Sequence, residues 1–278
     1  MGAAAERAGL TAIDRIAIRD IEVDGQTLHT AIAGGPTDQP PLLMFNGIGA
    51  NLELATPLLK AMTDRRMVIF DVPGVGGSPL PSLPYRARTL ASWAKGLCDQ
   101  LGYEEVDVSG VSWGGGIAQQ FAFQYPRYVR KMVLSATTAG MVMVPGGWNV
   151  LSKMASPKRY TDKGYMRSIA AEIYGGDFRK DDTLIGAHAA GMKPQSQKGY
   201  NYQLMAMAGW TSAHWLWTIR QPTLILSGAD DPLIPVINAK FLAAMIHKSE
   251  LRLIDNGHLF LVTQPEESAA TISEFLSR

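Results

Sequence analysis

Two hydrophobic rhythms alternate along this chain. Short apolar runs of strand length are followed by longer stretches in which apolar residues recur every three to four positions. Residues 16–23 and 28–33 read as paired strands around the turn Asp24-Gly25. Residues 41–45 form a short apolar strand, 52–62 have helical periodicity, and 67–70 form a strand that ends at Asp71. The pattern predicts a helix over 88–101, a strand over 106–111, a helix over 115–125 stopped by Pro126, and a strand over 129–135. It resumes with a strand at 223–227, a helix at 236–246, a strand at 251–254 and a last helix at 266–276. Such alternation implies a mostly parallel sheet covered by helices on both faces.

The middle of the chain breaks the rhythm. Residues 137–219 contain no convincing buried strand and are rich in Met, Trp, Tyr and Gly. They read as a helical cap inserted into a core made of residues 15–136 and 220–278. An insertion at the carboxyl end of a parallel sheet covers the region where such sheets bind ligands. Met and Trp side chains suit an apolar, adaptable pocket, although most of them serve packing. Residues 1–14 read as an Ala-rich N-terminal extension, expected to be flexible.

Composition narrows the function classes. The 278 residues are 46% hydrophobic and 18% charged, with a net charge of +1. No basic block supports nucleic-acid binding. No apolar run is long enough for a membrane span, and no secretory signal is evident. The single cysteine, Cys98, falls in a helical stretch and reads as a buried packing residue. No Cys/His cluster suggests zinc, and the acyl transfer read from the residues below needs no metal or organic cofactor. A soluble cytoplasmic protein fits these features.

The chemistry centres on Gly110-Val111-Ser112-Trp113-Gly114. A G-x-S-x-G sequence between a strand and a helix is the context of a nucleophile elbow, which exposes the serine hydroxyl above the sheet. Side chains at the flanking glycines would collide with the neighbouring strand and helix. A glycine-rich loop is the plain alternative, so the partners decide. A serine needs a base, and the base an orienting acid. Elbow enzymes carry them in the order serine, acid, histidine. Of the five histidines, only His258 follows a core-type strand near the C-terminus, with Gly257 allowing a tight turn. The preceding core strand ends in Gly228-Ala229-Asp230-Asp231, where the acid three residues after the glycine is Asp231. No carboxylate follows the strand at 129–135. Two backbone N–H groups should meet the oxyanion. They are those of Trp113, after the nucleophile, and Ile48, in the loop Phe45-Asn46-Gly47-Ile48-Gly49. The side chain of Asn46 braces that loop or forms an ordinary turn. The pocket set is Asn46, Met143, Trp210, His214, Trp215 and Leu259.

Several stretches carry a wider resemblance. They are Phe45-Asn46-Gly47-Ile48-Gly49-Ala50-Asn51-Leu52, Asp71-Val72-Pro73-Gly74-Val75-Gly76-Gly77-Ser78 and the elbow with Ala118-Gln119-Gln120-Phe121-Ala122. The cap adds Met154-Ala155-Ser156-Pro157, Ile173-Tyr174-Gly175-Gly176 and Gly209-Trp210-Thr211-Ser212. The C-terminal part adds Asp230-Asp231-Pro232-Leu233-Ile234-Pro235 and Gly257-His258-Leu259-Phe260-Leu261. Together they resemble the intracellular medium-chain-length poly(3-hydroxyalkanoate) depolymerases, in the α/β-hydrolase superfamily. The resemblance implies an α/β-hydrolase fold and a serine esterase acting on a hydrophobic storage polyester, with a granule surface as a further partner. It puts the family's triad on Ser112, Asp231 and His258.

Rival readings stay open at this level. Carbon–carbon bond hydrolases use the same triad under a helical cap, and their anionic substrate wants a fixed cation; Arg167, Arg179 and Lys193 are candidates, and none is singled out. Other Ser-His-Asp hydrolases, perhydrolases among them, share the triad. A non-catalytic binding protein of the same fold is the reading from another class.

Overall fold

β-Strands form where apolar runs can be buried on both faces of one sheet. A computed structural model describes residues 16–156, 158–193 and 196–278; the N-terminal extension 1–14 lies outside the described residues. The strands are β1 (Ile16–Val23), β2 (Gln26–Ala33), β3 (Leu42–Phe45), β4 (Met67–Phe70), β5 (Val106–Val111), β6 (Val129–Ser135), β7 (Thr223–Gly228) and β8 (Ser249–Ile254). They lie in the order β1-β2-β4-β3-β5-β6-β7-β8. β2 runs antiparallel to β1 and to β4, and every other neighbouring pair is parallel. Asp24 and Gly25, both at positive φ, close the β1–β2 hairpin.

Side chains alternate across this sheet, as strand geometry requires. Along β3, Leu43 and Phe45 enter one core while Leu42 and Met44 enter the other. The first core is covered by α2 (Ala87–Gln100) and α3 (Trp113–Gln124), which supply Leu90, Leu97, Ile117 and Phe121. Cys98 is fully buried there, as its helical setting predicts. The second core is covered by α1 (Thr56–Ala61) and the C-terminal helix α11 (Pro265–Ser277) through Leu58, Leu59, Ile272 and Phe275. The helical stretch expected over 52–62 divides into a 3-10 turn, Leu52–Ala55, and α1. Asp71 accepts the Leu52 N–H at 2.7 Å and fixes the start of that turn.

Helices fill the long connection from β6 to β7. They are α4 (Trp148–Ala155), α5 (Lys158–Thr161), α6 (Lys163–Tyr174), α7 (Asp182–Gly191) and α8 (Gln197–Met207). The N-terminal ends of α6, α7 and α8 are capped by Asp162, Asp181 and Ser196, each accepting a first-turn N–H. These helices have an apolar cluster of their own, including Met166, Ile169, Ile173, Tyr174, Phe178 and Ile185. Two short helices, α9 (Val236–Met245) and α10 (Phe260–Thr263), complete the set. No described helix is long and apolar enough to cross a membrane.

Candidate active site

The chain reverses sharply between β5 and α3, and Ser112 is the residue at that reversal. Its φ of 54° lies in the left-handed region that side chains avoid. The strained turn is held from three sides. Ser112 N–H donates to the Ser135 carbonyl at 2.9 Å. The Ser112 carbonyl accepts from Gly115 N–H at 2.9 Å and from the Thr137 hydroxyl at 2.6 Å. The flanking glycines are required by contact, as the sequence implied. A Cβ at Gly110 would stand 2.3 Å from the Gly114 carbonyl oxygen in α3; one at Gly114 would stand 2.2 Å from the Phe45 oxygen in β3.

His258 and Asp231 come together from the ends of β8 and β7. His258 Nδ1 lies 2.7 Å from Asp231 Oδ2, with the His258 and Asp231 side chains 3% and 0% exposed. The other carboxylate oxygen of Asp231 accepts the N–H groups of Leu233 and Ile234 at 2.9 and 2.8 Å. Every lone-pair direction used fixes the carboxylate's orientation toward the imidazole. Asp230 faces elsewhere: it accepts Gly176 N–H at 2.8 Å and pairs with Arg179. Those contacts, Gly176 first, hold its carboxyl below the usual range.

The residues after β6 reach down onto both halves of this constellation. Tyr174 accepts His258 N–H on its carbonyl at 2.7 Å, and its ring lies parallel to the imidazole with centroids 6.2 Å apart. Gln203, on α8, accepts Gly49 N–H on its side chain at 2.9 Å and Trp113 Nε1–H on its carbonyl at 3.2 Å. One buried glutamine thereby joins the loop holding Ile48 to the residue after Ser112. Asn46 braces the same loop: its Oδ1 accepts Gly47 N–H at 3.2 Å and its Nδ2 donates to the Asn51 carbonyl at 3.1 Å. Trp113 opens α3, where first-turn N–H groups have no intrahelical acceptor.

Two cavities meet at Ser112. The first is lined by His258, Ile48, Asn46 and Leu259 together with Met154, Met166 and Met192. The second runs the other way, past Trp113, Met143, Met207 and Trp210. Four of the six pocket residues named from the sequence are therefore brought to a cavity wall. His214 and Trp215 are corrections, because they line neither cavity. Ser212 accepts the N–H groups of both Trp215 and Leu216. That turn lays Trp215 against Phe123 on α3, with ring centroids 4.4 Å apart, so that it packs behind Trp210. Arg167, Arg179 and Lys193 line neither cavity; Arg179 pairs with Asp230 and Lys193 with Glu53. Among the described residues, the first cavity's wall carries the cation Arg159, accompanied by His188. Sequence reading missed both. Their only signal is position beside Ser156-Pro157 and on the apolar face of α7.

Comparison with known proteins agrees with this geometry. The family model for the alpha/beta hydrolase fold matches residues 40–265. A poly(3-hydroxyalkanoate) depolymerase from Ectopseudomonas oleovorans is 51% identical over 94% of this chain and 92% of its own length. A 3-oxoadipate enol-lactonase from Acinetobacter baylyi is 25% identical over 88% of this chain and 91% of its own. Among solved structures, an enol-lactonase from Burkholderia xenovorans LB400 superposes with a TM-score of 0.79 at 20% identity, covering 94% of this chain and all of that one (100%). The last likeness speaks for the fold; the identity to the depolymerase and the family match carry the assignment. The chain belongs to the α/β-hydrolase fold family, in the branch of the poly(3-hydroxyalkanoate) depolymerases.

Proposed function

We propose that this chain is a serine esterase that hydrolyses poly(3-hydroxyalkanoate)-type polyester through an acyl-enzyme, with Ser112, His258 and Asp231 as its catalytic residues. The observation that carries the reading is the strained Ser112 at a cavity whose wall also holds His258, itself locked to the buried Asp231. The substrate class comes from the relative that is 51% identical and bears the depolymerase name.

The reaction follows from the groups present. Ser112 Oγ attacks the ester carbonyl carbon while His258 takes its proton. The carbonyl oxygen becomes negative, and the N–H groups of Ile48 and Trp113 receive it. The carbon–oxygen bond to the leaving 3-hydroxy group then breaks, and His258 delivers the proton to that oxygen. Water repeats the sequence on the acyl-serine: its proton goes to His258 and then to Ser112, and a carboxylic acid leaves. Asp231 holds the imidazole tautomer and balances the imidazolium that forms twice in each cycle. No metal or cofactor enters the cycle.

The segment 137–219 serves as the cap in this reading. Its methionines in the first cavity meet the alkyl side chains of the polymer, which soft thioethers accommodate at several lengths. Met141, on the wall of the second cavity, is 68% exposed, and Trp148, at the start of α4, is 81% exposed. An apolar rim of that kind suits adsorption onto a polyester granule.

The test is clearing of a suspension of medium-chain polyester granules, alongside hydrolysis of p-nitrophenyl octanoate. Wild type should do both, and Ser112→Ala should be slower by at least about 10³-fold. Equal rates in wild type and mutant would falsify the esterase mechanism. Ester cleavage without granule clearing would remove the polymer as substrate.

A further inference from the structure

The wall of the first cavity is not wholly apolar. Arg159 and His188 both line it, and they are only 4% and 8% exposed. Arg159 directs Nη1 at the Met154 sulfur, 2.7 Å away. His188 packs edge-on to Tyr174 and Phe178, with ring centroids 5.4 and 5.6 Å apart. Its Nδ1 is buried and meets no hydrogen-bond partner among the described residues. A buried imidazole nitrogen without a protein partner is costly, and on a cavity wall a ligand atom can supply that partner. A guanidinium and an imidazole on one apolar cavity wall are complementary to a carboxylate: the first supplies charge and paired N–H donors, the second one more N–H.

Polyester chemistry says where such a carboxylate would come from. A chain of 3-hydroxy acids has one free carboxylate, at one end. In every ester cleavage that end stays with the leaving hydroxyl fragment, never with the acyl fragment. The leaving oxygen takes its proton from His258, which lines the same cavity as Arg159 and His188. Tyr174 spans the two regions, its ring parallel to His258 and edge-on to His188. The remainder of the chain, on the acyl side, has the second cavity, which leads past Trp210 and Met143 to the exposed Met141.

We propose that Arg159 and His188 form a receptor for the terminal carboxylate of the polyester, so that the enzyme cleaves from the carboxyl end and releases short 3-hydroxy acids. The inference rests on the polyester reading of the site. Both groups act by binding the leaving fragment; neither takes part in proton transfer.

The experiment compares two substrates: the linear trimer of 3-hydroxyoctanoic acid with its free carboxylate, and the same trimer ending in a carboxamide. The readout is the ratio of their kcat/KM values within one enzyme preparation, so any loss of folded protein cancels. Wild type should favour the free acid by about tenfold or more, as hydrogen bonds to a charged group imply. Arg159→Met should bring the ratio to about one, Arg159→Lys should keep part of it, and His188→Phe should reduce it. Cleavage of both trimers at equal efficiency by wild type overturns the carboxylate receptor and leaves the esterase reading standing. A wild-type preference that survives in Arg159→Met overturns it as well. Cleavage of neither trimer overturns the polyester reading, and the receptor with it.

Discussion

Asp231 shows how one side chain can be committed to a single task. Both of its oxygens are occupied, one by two backbone N–H groups and the other by His258 Nδ1. Replacing it by asparagine keeps the volume but offers the imidazole the wrong tautomer. Asp231→Asn should lower kcat by roughly 10³- to 10⁴-fold with little change in KM; steady-state kinetics on p-nitrophenyl octanoate read this directly, and a change confined to KM would contradict the assigned role. His188 gives a second prediction, on pH. Burial, followed by the nearby Arg159, pushes its imidazole down from 6.5 to about 4. Between those values the unfolded chain binds a proton that the folded chain refuses, so this contribution to stability is complete above pH 6.5 and is lost as pH falls toward 4. Wild type should therefore lose Tm more steeply than His188→Phe between pH 6.5 and 4, and parallel curves would contradict it. Legibility at this scale follows from chain order. His258 and Asp231 could be named because each follows a core strand in a fixed sequence of elements. Arg159 and His188 could not, because only the docking of α5 and α7 brings them to one cavity. Trp215 was misread for the same reason: a Trp-rich stretch suggests a pocket, while a turn at Ser212 decides which indole reaches it.

The strands and the helices of the sheet were legible almost throughout, because burial on both faces of a parallel sheet leaves an apolar run for the inner strands, while β1 and β8, at the two edges, are half-buried and more polar. The link between the segment after β6 and the loops holding Asp231 and His258 was not legible, since it depends on backbone shape. After α6 the chain passes through Gly175 and Gly176, both at positive φ. There it is pressed against the two loops. A Cβ on Gly175 would stand 2.2 Å from the Asp230 carbonyl, and one on Gly176 2.0 Å from the Gly257 nitrogen. Asn256 completes the seam. Its Oδ1 accepts the N–H groups of Asp177 and Gly257 at 3.0 and 2.7 Å, and its Nδ2 donates to Asp177 and Thr263 at 2.7 and 2.9 Å. This segment thus braces the loops that hold Asp231 and His258 against each other. Gly176→Ala should destabilise the protein by about 2 kcal/mol or more, because it adds left-handed strain to a backbone overlap. It should also lower kcat by displacing His258. Denaturant midpoints and kcat measured together check this; a loss of stability with kcat intact would mean that the brace does not reach the base.

At the scale of the whole molecule, the sheet that aims Ser112 is itself tied down by buried charge. Asp107, in β5, is fully buried, and so nearly is Arg65, which donates to it from Nη1 at 3.1 Å. Arg130, in β6, donates from Nε at 2.9 Å and reaches the Leu276 carbonyl in α11 from Nη2 at 2.9 Å. Lys131 Nζ adds a bond to the Phe275 carbonyl at 2.9 Å. β5, its neighbour β6 and the C-terminal helix α11 are therefore joined around one carboxylate, at the opposite end of β5 from Ser112. Such a cluster need not stabilise the fold more than apolar packing would, but removing its buried carboxylate takes a partner from both guanidiniums at once, leaving Arg65 with Asp64 and Arg130 with the Leu276 carbonyl. Asp107→Ala removes the buried partner of both guanidiniums, and Arg65, with a side chain only 1% exposed, keeps only the partly exposed Asp64. The cost expected for breaking a buried pair is about 3–5 kcal/mol, which at this chain length is a fall in Tm of about 10 °C. Arg130→Met is the informative companion: it removes a partly exposed cation, leaves the Asp107–Arg65 pair intact, and should cost less than half as much. If Asp107→Ala lost no more Tm than a surface substitution, the cluster would not be an anchor, and the rigidity of β5 beneath Ser112 would have to come from the packing of Val106 and Val108.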